Sequence, residues 1–317
     1  MLRNYIQETS SAIEHPFLAC GIFLRDFPEL GLTDGDFLRI ADQTLSRDSR
    51  FKDTVRKWNK KLQSSETIYR REAQMREQAN RQLIDVYHRW LEEIKVSAPE
   101  LLGKEYSNPY FSSIPQNWFE ADGPRIMVVG EEGFGTYGCG KQGKQEELLN
   151  YTDIEKIQYL NYNYLRKQLK IDPTDKLNGS AFWRRFRRVA AHGICCWTNI
   201  DKIHVLGNKN CALTETDRNQ LHSVATRVLS EEIEILDPTH IVFFGWYGTS
   251  LRHELAELYQ ILYPAGPKDS SVWNKNVVSI QLGGRTYIFC YHPNWGYRNK
   301  GYEDKVDAVF QCSLQRS

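Results

Sequence analysis

Five short apolar runs, separated by stretches with helical patterning, constrain the fold of this chain most strongly. Each run has the length of a strand and is apolar apart from Ser279; the runs are Ile126–Val129, Ile194–Trp197, Ile241–Phe244, Val277–Ile280 and Tyr287–Cys290. Continuous apolar strands are typical of a parallel sheet that helices cover on both faces. The sequence therefore predicts an α/β fold over residues 123–317, with a mainly parallel sheet flanked by helices.

Helical patterns fill the intervals between these runs. The clearest is Thr214–Leu236, which opens with the capping pattern Thr214-x-x-Asp217 and repeats apolar residues on one face. Two further helices are predicted at Ser180–Ala191 and Thr249–Leu262. Strand and helix thus alternate along this part of the chain, as the α/β fold requires.

The N-terminal third has a different texture. From Thr44 to Val96 it is rich in Arg, Lys, Gln and Glu, with apolar residues at steps of three, four or seven: Ile68, Met75, Ala79, Leu83, Val86, Trp90 and Ile94. This pattern predicts a long amphipathic helix, packed on its neighbour or the main domain, or else dimerising as a coiled coil. We expect a helical N-terminal appendage over 1–97, a proline-containing linker over 98–122 and the α/β domain over 123–317.

Charge and hydropathy limit the partners. The 317 residues include 41 Lys and Arg and 40 Asp and Glu, which gives a net charge of +1. Because the chain as a whole is nearly neutral, any nucleic-acid-binding surface has to be a local basic patch. Arg184–Arg188, four arginines around Phe186, is one such patch or else a solvated helix face. No apolar run reaches the roughly 18 residues of a membrane helix. The N-terminus lacks a secretory signal, so we expect no membrane partner and a cytoplasmic location.

The seven cysteines form neither a disulfide framework nor a CxxC zinc pattern. We interpret them as reduced thiols, largely in the core, and predict no metal and no cofactor. Their spacing provides no obvious set of metal ligands.

Polar side chains follow several strands at the edge where an α/β sheet binds ligands. Glu131 and Glu132 follow the first run, Asn199 the second and His292 the last. Singly, each has an ordinary interpretation: solvated acids, a turn-forming amide and a loop histidine. Their coincidence at strand ends of one sheet indicates a site.

A glycine pattern offers an alternative. Gly133-x-Gly135-x-x-Gly138 matches the dinucleotide-binding fingerprint, and Asp153 and Glu155 lie near the expected distance beyond it. However, the fingerprint needs its first glycine at the strand end and a helix opening at the third. Here two acids intervene, and they would repel a phosphate.

The order of these motifs resembles the uracil-DNA glycosylase superfamily. The resemblance rests on Gly-Glu-Glu-Gly-Phe after the first strand, Trp197-Thr198-Asn199, a helix leading into the third strand, and His292-Pro293-Asn294. It covers about residues 124–300 and leaves the N-terminal third unaccounted for. It implies a uracil-DNA glycosylase-like fold and cleavage of a base from DNA.

The resemblance also assigns roles by position. Glu132 resembles the carboxylate that orients the attacking water and offsets the positive charge on the sugar. His292 resembles the histidine that stabilises the departing base anion. For base recognition, Glu131 corresponds to the polar position against the base, Phe134 to the pocket wall beside carbon 5 of a pyrimidine, and Asn199 to the amide that reads the base edge.

Departures from the family pattern bear on specificity. Gly133 stands where the first motif commonly has Pro, and Asn294 with Trp295 replaces the Ser of the second. Because Gly133 and Gly135 flank Phe134, we expect a looser pocket wall than one that excludes a methyl group. The cysteines do not match the iron–sulfur ligand spacing of some members, so no cluster is implied.

A glycosylase must also extrude its base and hold the DNA backbone. Trp295, Tyr297 and Arg298 are candidates to fill or prop the gap, although Trp295 also suits a core position. Asn294 is a candidate phosphate ligand, and Arg184 and Arg185 supply local positive charge.

The resemblance therefore implies a monofunctional DNA glycosylase that needs no catalytic lysine. It allows two kinds of substrate: uracil or another deaminated base, and a bulky modified pyrimidine such as glucosylated hydroxymethylcytosine, on which an anti-phage member of the superfamily acts. The looser first motif and the large N-terminal segment favour the second. From other classes, a nucleotide-binding oxidoreductase and a catalytically silent DNA-binding module stay open.

Overall fold

The structure, a computed structural model, describes residues 36, 39–40, 49–97, 109–130, 154–170, 174–203, 216, 219–220, 227–245, 251, 254–264, 277–294 and 301–314, with the backbone alone over 49–70. The chain divides into two compact units, Met1–Gln74 and Met75–Ser317. In the first unit the described residues are mainly the helical backbone that begins at Ser49. The second unit holds the sheet.

Strands and helices alternate from residue 125 onward. Within the described residues the helices are α1 (Ser49–Ser97), α2 (Ile154–Gln168), α3 (Ala181–Ala190), α4 (Val228–Leu236), α5 (Ala256–Leu262) and α6 (Tyr302–Leu314). The strands are β1 (Arg125–Gly130), β2 (Ile194–Asn199), β3 (His240–Phe244), β4 (Val277–Leu282) and β5 (Arg285–Cys290). Each apolar run lies within one of these strands, so the five predicted strands are confirmed.

The strands form one sheet in the order β2-β1-β3-β5-β4. All neighbours are parallel except β4 and β5, which are antiparallel. A tight hairpin joins that pair through Gly283 and Gly284, whose φ angles of 58° and 79° suit glycine at both turn positions. The predicted α/β fold with a mainly parallel sheet and flanking helices is confirmed.

Two apolar clusters cover the two faces of the sheet. On β1, Met127 and Val129 belong to one cluster, with α1, α4 and α5. Ile126 and Val128 belong to the other, with α3 and α6. Because alternate residues of a strand point to opposite faces, this division places helices on both sides of the sheet.

The C-terminal part of α1 is a layer of the α/β unit. Its buried stripe includes Leu83, Tyr87, Trp90 and Ile94, all at most 4% exposed. The division between compact units falls between Gln74 and Met75, whereas the change in sequence texture suggested residue 97. The difference arises because a charge-rich helix still buries one apolar stripe against the sheet.

Phe111, Ile114 and Trp118 also belong to this core, although the sequence predicts a linker over 98–122. Phe111 stacks on Tyr87 with ring centroids 4.1 Å apart. The indole of Trp118 is buried and donates to the Leu236 carbonyl at 2.7 Å. The prolines of this segment prevent a helix, but the aromatic residues between them are core residues.

Helix boundaries differ from the predictions at two places. The predicted helix Thr214–Leu236 is interrupted at Arg227, and α4 begins at Val228. The predicted helix Thr249–Leu262 is interrupted at Leu255, and α5 begins at Ala256. By contrast, α3 agrees with the sequence, since Ser180 caps it by accepting from the Trp183 amide. Among the described helices, none is long and apolar enough to cross a lipid bilayer.

Candidate functional site

The carboxyl ends of four parallel strands lie side by side in the order β2, β1, β3, β5. Gly130 at the end of β1 pairs with Asn199 at the end of β2, and His292 follows the end of β5. The strand order reverses between β1 and β3, where open α/β sheets form a ligand crevice. The ends of β2 and β5, which carry Asn199 and lead to His292, therefore flank this crevice, three strand spacings or roughly 14 Å apart.

Asn199 is held in one orientation within this edge. Its Oδ1 accepts a hydrogen bond from the Trp197 indole nitrogen at 3.0 Å. An indole N–H only donates, so the amide atom that faces it has to be the oxygen. The Nδ2 group of Asn199 is buried and has no hydrogen-bond partner among the described residues. A buried unpaired donor is costly, and a ligand acceptor would satisfy it.

Close packing with Gly130 and Phe182 fixes the same side chain. A Cβ atom at position 130 would lie 2.4 Å from Asn199 Oδ1 and 3.3 Å from the Phe182 ring. Phe182 in turn packs against Trp197 and Phe244, with ring centroids 5.6 and 5.3 Å apart. The glycine at the strand end thus leaves the space that Asn199 occupies.

His292 is exposed and has a defined tautomer when neutral. Its Nδ1 accepts a hydrogen bond from the Asn294 amide at 3.2 Å. A neutral imidazole carries one N–H, so the proton resides on Nε2, which then acts as a donor. Partial burial of the ring and the positive charge of Arg185 both lower the pKa of His292. These effects favour the neutral imidazole.

The predicted basic patch, Arg184–Arg188, is only partly exposed at the surface. Arg185 is buried, and its guanidinium contacts Glu303 and the Tyr291 carbonyl. Its prediction as a DNA contact is wrong, because a side chain enclosed by α3, β5 and α6 cannot reach a phosphate. Arg188 pairs with Asp304 and Asp307 of α6. Arg184 is exposed, and its predicted phosphate contact stays a prediction.

Several predicted site residues lie outside the described residues. These are Glu131, Glu132, Phe134, Trp295, Tyr297 and Arg298, together with the three glycines of the alternative dinucleotide fingerprint. Their predicted roles stay predictions. Asn294 is described and exposed, and its main-chain amide orients His292.

A buried ionic network beside the site was not predicted. Lys202 Nζ lies 2.7 and 2.8 Å from the two carboxylate oxygens of Glu232 and donates to Thr198 at 2.6 Å. Tyr87 and Ser112 donate to the same carboxylate at 2.7 and 3.0 Å. Because Thr198 precedes Asn199, the network holds the end of β2 against α1 and α4.

Helical periodicity contained the signal for these buried charges. Glu232 lies on the α4 face that buries Leu229, Ile233 and Leu236. A charged residue within an apolar stripe indicates a buried, paired group.

The cysteines agree in part with the interpretation as core thiols. Cys195, Cys196 and Cys290 are buried and reduced, whereas Cys312 is exposed. Burial raises the pKa of the Cys290 thiol to about 11. Within the described residues, no cluster of three or more His, Cys, Asp or Glu side chains is arranged to hold a metal ion.

No protein-family model and no curated protein matches the chain.

Proposed function

We propose that this protein is a monofunctional DNA glycosylase. It would extrude a modified or damaged base from DNA and hydrolyse its bond to the sugar. The observation that carries the proposal is the pairing of an oriented amide donor at Asn199 with an imidazole donor at His292, on either side of the β1/β3 crevice. The order of motifs along the chain supports the same reaction class.

The proposed reaction is hydrolysis and needs only water as co-reactant. Water attacks the sugar carbon C1′ as the bond from C1′ to the base nitrogen breaks. Glu132, the second residue after β1 in the sequence, would accept a proton from the water and offset the charge on the sugar. The base leaves as an anion, which the Nε2–H of His292 would stabilise before the base takes up a proton. The products are an abasic site and the free base.

The Asn199 contact supports recognition of a hydrogen-bond acceptor. With Oδ1 engaged by Trp197, the unpaired group is a donor. Carbonyl oxygens and unprotonated ring nitrogens of bases complement it. A free donor at Asn199 is compatible with both proposed substrates. These are a bulky modified pyrimidine, such as glucosylated hydroxymethylcytosine in phage DNA, and uracil. An anti-phage role would follow from the first.

An excision assay tests the proposal. Single- and double-stranded DNA containing uracil, hypoxanthine or glucosylated hydroxymethylcytosine is incubated with the protein, and alkali-labile abasic sites are measured. We expect excision of at least one base, and a fall of roughly 10²–10³-fold for Glu132→Gln and for His292→Ala. Full-rate excision by both variants would overturn the assigned roles.

Matched variants control for general damage. His192→Ala removes a partly buried histidine that precedes β2, at the opposite end of the sheet from the crevice. Glu155→Gln removes an exposed acid in the first turn of α2. Both are expected to excise at the wild-type rate. DNA binding without release of any base would instead favour a silent binding module.

A further inference from the structure

The buried guanidinium of Arg185 lies directly behind the segment that carries His292. Its Nε is 2.9 Å from a carboxylate oxygen of Glu303, and its Nη1 donates to the Tyr291 carbonyl. The side chain is 1% exposed. Its charged plane also lies over the rings of Phe244 and Tyr302, each 5.4 Å from the ring centroid.

Both polar groups of the Tyr291 main chain are held from this side. The Tyr291 carbonyl accepts from Arg185, and the Tyr291 amide donates to the Tyr302 hydroxyl at 2.7 Å. Tyr302 and Glu303 are adjacent residues at the start of α6. The side chains of Arg185 and Tyr302 therefore fix the residue immediately before His292 to α3 and α6, and Glu303 pairs with Arg185.

The charge has an electrostatic consequence for the imidazole. Among the described residues, the ionisable groups packed around this strand end are Arg185 from α3, Tyr302 and Glu303 from α6, and Cys290 and Tyr291 beside His292. Of these, Arg185 acts on His292, and together with partial burial it lowers the pKa of the imidazole. A positive charge also favours an anion that develops nearby. At 1% exposure the Arg185 guanidinium is little screened by solvent, so its charge acts on neighbouring groups.

We propose that Arg185 is a positioning residue for His292 and for the leaving base. It fixes the peptide before His292 and places a buried positive charge behind the ring. Neutral His292 then donates from Nε2 at neutral pH, and the same charge stabilises the base anion. This inference rests on the proposed glycosylase function.

NMR titration of histidine-labelled full-length protein tests the electrostatic part without any substrate, with the His292 signal assigned from His292→Gln. Arg185→Gln removes the cation and leaves Glu303 uncompensated, so we expect the pKa of His292 to rise. Arg185→Met/Glu303→Met removes the pair together and guards against a single variant that fails to fold. Arg185→Lys keeps the charge and is expected to leave the pKa of His292 near its wild-type value.

Activity provides the second readout. When the pKa of His292 is higher, the imidazole becomes protonated at a higher pH. The acid limb of the kcat/KM profile should therefore shift to higher pH in both charge-removing variants. Excision at pH 7.5 should fall roughly tenfold or more, as for loss of an electrostatic contact in the transition state. Lys305→Gln removes an exposed cation of α6, two residues after Glu303, and is the matched control that should change neither readout.

The two proposals fail in different ways. If the folded double variant keeps the wild-type pKa of His292 and the wild-type pH profile, the role of Arg185 is overturned while the glycosylase stands. If the wild-type protein excises no base, the glycosylase is overturned, and the titration still reports whether Arg185 sets the protonation of His292.

Discussion

Gly130 is the residue at which the end of the central strand meets the candidate site. We predict that Gly130→Ala displaces Asn199, because the added methyl group would lie 2.4 Å from its Oδ1. Overpacking of this kind costs about 1–3 kcal/mol of unfolding free energy. A misplaced recognition group lowers excision on the order of 10²-fold. Urea denaturation and the excision assay measure the two effects.

Gly123→Ala is the control for that substitution, since a Cβ at position 123 meets nothing within 4 Å. It should leave excision unchanged. If Gly130→Ala retains wild-type excision, Asn199 does not act from the position described.

At single positions, the sequence predicted which residues end the strands but not what surrounds them. Asn199 and His292 were found because polar residues after apolar runs are conspicuous. The indole that orients Asn199 was not predicted, because a side-chain contact between Trp197 and Asn199 leaves no mark on hydropathy. The sequence predicts a surface position for Arg185 because arginine is seldom fully buried, and the acidic partner Glu303 that buries it lies 118 residues away along the chain.

Among the elements, α4 joins the sheet to α1 through Glu232. We predict that Glu232→Gln lowers the free energy of unfolding by about 3–5 kcal/mol, because it leaves the buried Lys202 ammonium without its counter-charge. The side chains of Lys202 and Glu232 are 2% and 0% exposed. Chemical denaturation measures the change.

Glu234→Gln on the same helix is the matched control. Glu234 is 69% exposed where it pairs with Arg285, so its loss should cost less than about 1 kcal/mol. Equal stability of the two variants would show that the buried pair contributes no more than a surface one.

Elements were predictable to different degrees, for physical reasons. Four strands could be predicted because a buried parallel strand is a nearly continuous apolar run. The fifth, β4, is antiparallel and partly exposed, and only its short run Val277–Ile280 marks it in the sequence. Helix ends were less certain: the apolar pattern of Thr214–Leu236 continues through Arg227, where the backbone leaves the helical region. The antiparallel pairing of β4 follows from the short Gly283–Gly284 turn, which cannot accommodate a crossover.

At the scale of the whole molecule, the position of the domain boundary has a direct consequence for folding. Side chains from Ala79 to Ile94 of α1 form part of the apolar core that covers one face of the sheet. Each large apolar side chain in that stripe contributes about 1.5–3 kcal/mol by burial. Six such positions, from Leu83 to Ile94, therefore contribute an amount comparable to the roughly 5–15 kcal/mol that stabilises a whole domain.

Two truncations, compared with the full chain, test whether the C-terminal part of α1 is needed for folding or is a dispensable appendage. We predict that removal of residues 1–74 leaves a protein with near-ultraviolet circular dichroism and a cooperative urea transition, because the unit Met75–Ser317 retains its own core. Removal of residues 1–97 deletes the stripe and exposes its partners, including Phe111 and Ile114. That chain should aggregate or lose its cooperative transition. If the protein that begins at residue 98 is stable and unfolds cooperatively, α1 is instead a dispensable appendage, as its charge-rich sequence predicts. The apolar face of the sheet would then be stable without the α1 stripe.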